Sequence, residues 1–159
     1  MANLAAVIPA AKAPLEVQEV DKHIPGKHEI LVKNEVIAYQ PLESKIAKLA
    51  LFPIQYPAVI GMSFGGTVEA VGPAVTSLEV GNKVAAVKKR SAIGNKYGGF
   101  QRYVVVFDDC VSKVPDRIPI ETPTSLIGNL GAVVGLSAFM LGSTRPILRS
   151  PRPPKKKRF

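Results

Sequence analysis

From Pro53 to Phe107, glycine and proline recur at short intervals, and the segments between them are rich in β-branched residues. The run YPAVIGMSFGGTVEAVGPAV (56–75) is the densest part of this pattern. Glycine and proline end regular elements, and β-branched side chains suit a pleated surface. The spacing therefore predicts short strands joined by turns, closing into a partly open barrel or a sandwich.

The strands are expected at 3–8, 15–20, 29–39, 58–62, 65–72, 83–88 and 100–107. EILVKNEVIAY (29–39) is the strongest of them, being β-branched and partly alternating. PLESKIAKLALF (41–52) opens on a proline suited to a first helical turn and carries apolar residues at 42, 46, 49 and 50. It predicts a short helix with Lys45 and Lys48 on its polar side. DDCVSKVPDRIP closes the β region, with Cys110 expected as a half-buried strand residue. One apolar helix is expected from ETPTSLIGNLGAVVGLSAFMLG, capped by Thr122 or Thr124. The domain reading is a barrel over 1–121, a helix over 122–141 and an unstructured Pro-rich tail over 142–159.

Charge separates the tail from the rest. The chain has 159 residues and a formal net charge of +9. All 12 acidic residues lie at or before Glu121, whereas 143–159 carries seven Lys and Arg and no acid. The body is nearly neutral, so a basic groove across the fold is not expected, and nucleic acid could be met only through the tail. PPKKKRF (153–159) has the composition of a nuclear-import signal, through Lys155, Lys156, Lys157 and Arg158, or of a solvated charged end. The N-terminus lacks a secretory pattern, and Cys110 is the only cysteine. Both fit a cytoplasmic protein. Residues 122–144 hold no charge and include a Gly131/Gly135 pair, which raises a membrane helix, but Pro123 and Asn129 weigh against it.

The glycine motifs do not fit cofactor cradles. GMSFGG (61–66) is followed by no Lys-Ser or Lys-Thr, so it is not a P-loop. A strand follows it rather than a helix, so it is not a dinucleotide fingerprint. A bend or bulge explains it better. GNLGAVVG (128–135) also misses the fingerprint spacing and reads as close helix packing. For metal, His23, His28 and Cys110 are scattered, and no Cys-x-x-Cys spacing exists. No metal site is expected, and Cys110 has no histidine near it in sequence to activate it.

Three stretches together carry a resemblance. VGPAVTSLEVGNKVAAV resembles the Val-Gly-x-x-Val-(x)5-Gly-Asp-x-Val signature of the medium-chain dehydrogenase/reductase superfamily, with Asn82 where Asp is usual. GGFQRYVVV resembles its Gly-Gly-Phe-x-x-Tyr-Val strand. VIAYQPLESKI resembles the Ala-x-Asn-Pro-x-Asp-x-Lys stretch of its zinc-independent members, among them fungal trans-enoyl reductases and quinone reductases. The likeness runs in order over about residues 1–141.

The resemblance implies a GroES-like β-barrel followed by a Rossmann domain that binds NADPH, with the active site in the cleft between them. It sets Gln40, Met62 and Ser63 at the catalytic-zinc positions of the family's zinc-dependent members. An amide, a thioether and a hydroxyl are poor zinc ligands. It places Gln40 and Pro41 beside the nicotinamide and Ser137 against the cofactor. Lys45 matches the motif's lysine, able to orient cofactor or polarise a substrate carbonyl. Tyr39 would offer a phenol at the same mouth. Ser44 stands where an aromatic residue is usual. No Rossmann half is legible in these 159 residues, so the expectation is a truncated, inactive reductase that binds NADPH poorly and self-associates. Its family substrate would be a small or carrier-bound enoyl compound. The rival expectation is a non-enzymatic GroES-like interaction module that uses its basic tail as a nuclear or nucleic-acid address.

Overall fold

The structure, a computed structural model, describes residues 2–140; of the side chains at 131, 132 and 134–140 nothing is described. The order is β1 (Asn3–Ile8), β2 (Glu16–Val20), β3 (Glu29–Ala38), α1 (Pro41–Leu49), β4 (Ala58–Val59), β5 (Ser63–Val71), β6 (Lys83–Val87), β7 (Tyr103–Phe107), β8 (Val111–Lys113) and α2 (Glu121–Met140). The fold is mainly β, in two antiparallel sheets. One runs β2-β1-β4 and the other β7-β3-β5-β6-β8. The residues before β7 stitch them together. Ala6 N–H donates to Phe100 O at 2.8 Å, and Arg102 N–H donates to Leu4 O at 2.9 Å.

The core explains the apolar runs. Ile30, Val32, Phe64, Val68, Val84, Val104 and Val106 pack together on one face. Leu31, Tyr103 and Val105, from the alternate positions of β3 and β7, form a second cluster with Ala92 and Tyr97 from the segment between β6 and β7. Both faces of the first half of β3 and of β7 are therefore covered, which is why these stretches read as continuous apolar runs, while the second half of β3 alternates. A third cluster, including Val7, Ile8, Val59, Ile60 and Phe100, lies under the smaller sheet.

GMSFGG is a bend and a bulge region, as its spacing suggested. Gly61 sits at φ +115, and a Cβ there would meet Phe100 and Gly99. On β3, Asn34 pairs with Gly66 and Val36 with Gly65, so Glu35 is an extra residue on that strand. Gly66 lies against the Lys33 carbonyl, where no side chain fits.

Several local expectations need correction. Helix α1 stops at Leu49 because Ala50 turns left-handed (φ 51), its N–H capping Ile46 O. Its buried residue is Glu43, at 1% exposure, while Leu49 stands 61% exposed. Cys110 lies in a short 3-10 turn (Asp108–Cys110), not in a strand. β7 starts at Tyr103, since the three residues before it turn aside to bond β1. α2 starts at Glu121, so Thr122 and Thr124 lie inside it. The Thr124 hydroxyl donates back to Ile120 O at 2.7 Å rather than capping the end.

Two compact units divide the chain, Met1–Gly128 and Asn129–Phe159. The first reaches beyond residue 121 because the opening turns of α2 pack on the barrel: Thr124 is fully buried, with its hydroxyl against Gly65. No helix among the described residues is long and apolar enough to cross a membrane. Lys155, Lys156, Lys157 and Arg158 lie outside the described residues.

Candidate functional site

The site forms where β3 ends and α1 begins. Gln40 is extended (φ −118, ψ 151), and Pro41 occupies the first helical turn. A helix start leaves backbone N–H groups without partners. Glu43, three residues on, returns its carboxylate to Gln40 N–H at 2.6 Å, one half of a capping box. Its other oxygen accepts Met62 N–H at 2.6 Å, which ties the helix start to the turn before β5. The side chain of Gln40 is left to donate to Ser63 Oγ at 2.9 Å. Ser63 is fully buried. Gly128 of α2 closes over this pair, since a Cβ there would strike Ser63 Oγ and the Gln40 amide.

Glu43 has no salt-bridge partner among the described residues. Burial pushes its pKa up, and the two backbone N–H bonds offset part of that push. It is a structural clamp that orders Gln40, Met62 and Ser63.

The structure thus brings Gln40, Met62 and Ser63 together and adds Glu43 and Gly128, which sequence reasoning had not assigned to the site. The Gln-Pro-x-Glu spacing was the signal available for Glu43. Pro41 is exposed beside the pair. Tyr39 is 64% exposed, and its ring stacks on Phe100 with centroids 6.0 Å apart. Lys45 is exposed on α1, two residues past Glu43 and hence on the opposite side of the helix. No hydrogen bond joins it to Gln40 or Tyr39 among the described residues. Ser137 falls in α2, but its side chain lies outside the described residues.

Comparison with known proteins agrees with this architecture. The model of the alcohol dehydrogenase GroES-like domain matches residues 26–116. The chain is 31% identical over 150 residues to the zinc-binding alcohol dehydrogenase domain-containing protein cipB of Emericella nidulans, covering 88% of this chain and 48% of that protein. It is 30% identical over 123 residues to trans-enoyl reductase grgB of Penicillium sp, covering 77% and 34%. Among solved structures, the quinone oxidoreductase of Pseudomonas syringae pv. Tomato DC3000 superposes with a TM-score of 0.70 at 21% identity, over 92% of this chain and 42% of that one. The chain spans about half the length, or less, of the curated relatives it matches.

Proposed function

Because the chain belongs to the alcohol dehydrogenase GroES-like domain family, we propose that it is the barrel of an NADPH-dependent, zinc-independent oxidoreductase of the enoyl or quinone reductase type. The observation that carries this reading is the hydrogen bond between Gln40 and Ser63. At the positions that the resemblance matches to the metal ligands of zinc-dependent members, this chain sets an amide against a hydroxyl. A thioether, Met62, stands beside them. None of the three suits zinc, and two already satisfy each other. Similarity to a trans-enoyl reductase supports the reaction class.

When bound, a reduced nicotinamide would supply hydride to an activated double bond or a quinone. Gln40 and Pro41 line its approach. Lys45 and Tyr39 offer an ammonium and a phenol to a substrate carbonyl on which negative charge develops. Ser137 is proposed as a further cofactor contact. The 159 residues include no Gly-x-Gly-x-x-Gly turn. By themselves they are proposed to bind NADPH weakly and to turn nothing over.

Nitrogen-15 NMR of the chain titrated with NADPH tests both parts. Shifts at the Gln40, Met62 and Ser63 amides, reached only at millimolar cofactor, are the expected result. Shifts elsewhere alone would overturn the site. Micromolar affinity with turnover of an enoyl thioester would overturn the proposed inactivity.

A further inference from the structure

The bulge at Glu35 breaks the β3 ladder next to Asn34, which bonds instead to the residues just before β7. Asn34 N–H donates to Arg102 O at 2.7 Å. The side-chain amide gives its hydrogens to Gly99 O at 2.7 Å and to Gln101 O at 3.0 Å. Its oxygen, Oδ1, is buried and accepts nothing, the one buried side-chain polar atom among the described residues in that condition. Asn34 lines a hollow of about 310 Å³. Leu4, Ile37 and Phe100 give the hollow apolar walls, and Glu35 and Arg102 are the charged residues on it. It shares no residue with the cluster of Gln40, Glu43, Met62 and Ser63.

Glu35 and Arg102 have opposite charge, yet they do not pair with each other, and neither has another ion-pair partner among the described residues. One oxygen of Glu35 accepts the Thr67 hydroxyl at 2.6 Å, which leaves the other open. Arg102 spends an Nη1 hydrogen on Ala2 O at 3.1 Å and keeps its remaining guanidinium donors. A buried acceptor without a donor is unfavourable, and a donor brought from outside would relieve that cost. Bulges recur beside binding sites because they re-aim side chains in this way.

We propose that this hollow binds an α-amino acid with an apolar side chain. The ligand ammonium pairs with Glu35 and gives a further N–H to Asn34 Oδ1. The ligand carboxylate pairs with Arg102, whose planar fork of donors suits it. The ligand side chain lies against Leu4, Ile37 and Phe100. An amine alone would leave Arg102 unmatched, and an acid alone would leave both Glu35 and Asn34 Oδ1 unmatched. The volume falls at the lower end of small-molecule sites, typically about 300–1,000 Å³, which suits a single amino acid better than a dinucleotide. The site does not depend on the reaction proposed above.

L-Phenylalanine is the probe, added to the full chain and followed by nitrogen-15 NMR. It is expected to shift the backbone amides of Glu35, Ile37 and Arg102 and the side-chain amide of Asn34. Phenethylamine, which lacks the carboxylate, and 3-phenylpropionate, which lacks the ammonium, should each bind about tenfold more weakly or worse. N,N,N-trimethylphenylalanine keeps both charges but has no N–H for Asn34 Oδ1, and it should also lose about tenfold. Glu35→Gln and Arg102→Gln should each weaken L-phenylalanine to a similar degree, with the amide spectrum away from the hollow unchanged to show that the fold is kept. Equal affinity for phenylalanine and either single-charge compound would overturn the proposal. So would equal affinity for the trimethylated compound, or an absence of shifts at the hollow. These comparisons on the wild-type chain stand even if a variant fails to fold.

Discussion

The carboxylate of Glu43 accepts the backbone N–H of Met62 at 2.6 Å across 19 residues of sequence, and it does so while buried and without a cation. Removing it should loosen the site before it touches any group that could meet substrate. Glu43→Ala leaves the N–H groups of Gln40 and Met62 without their acceptor, at a cost of about 1–3 kcal/mol for each buried donor. Urea unfolding of the variant should show that loss. Full retention of stability would mean that the clamp is dispensable.

The same residue has a predicted pH signature. Burial raises the pKa of Glu43 above 4.5 in the folded state. Its favourable contribution is therefore present at acid pH and is lost as pH rises through the raised value. Glu43→Gln cannot titrate. The stability gap between wild type and Glu43→Gln should narrow from below pH 4.5 toward neutrality.

Glu29 should behave in the opposite sense. Burial pushes its pKa up, but Tyr97 Oη–H at 2.6 Å, Gly26 N–H at 2.8 Å and the Lys96 ammonium at 3.0 Å together outweigh it, and the net shift is downward. Its contribution is present above 4.5 and is lost as pH falls through the lowered value. The gap between wild type and Glu29→Gln should be widest near neutrality and close on acidification. A gap that widens in acid would contradict the pairing.

Gly66→Ala should be among the most damaging small changes in the barrel. The added methyl would meet the Lys33 carbonyl, which is main chain and cannot swing away. A loss of at least about 2 kcal/mol is expected, in the range of overpacked cores. Gly81→Ala supplies the control: nothing lies near its Cβ position, but its φ of +89 imposes strain alone. Thermal unfolding of the two should rank Gly66→Ala as the worse.

Surface chemistry gives a last expectation. Leu49, Leu51 and Phe52 stand 61%, 49% and 48% exposed in one short segment that begins at the last residue of α1. A contiguous apolar patch favours association. Size-exclusion chromatography should show concentration-dependent self-association that Leu51→Lys with Phe52→Ser reduces. A monomer at all concentrations would count against it.

Much of this was legible before any coordinates. Pro41 at a helix start, the glycine punctuation and the β-branched runs are local signals, and β1 falls on residues 3–8 where they placed it. The helix expected over 41–52 ends earlier because the apolar positions at 42, 46, 49 and 50 run into the left-handed turn at Ala50, which no residue type announces. Thr124 looked like a cap but bonds backward, since its position in α2 depended on packing against Gly65.

Strand order of appearance, turn positions, the near-neutral body and the unsuitability of Gln40, Met62 and Ser63 as metal donors all follow from residue types and near neighbours. They are set by backbone preference and side-chain chemistry, which act over a few residues. Which polar groups would face each other was decided only by the fold. The contact of Gln40 with Ser63 spans 23 residues, and that of Glu29 with Tyr97 spans 68. Such pairs arise because buried polar atoms must find partners within the packed interior, and the sheets, not the local pattern, determine which partners are near.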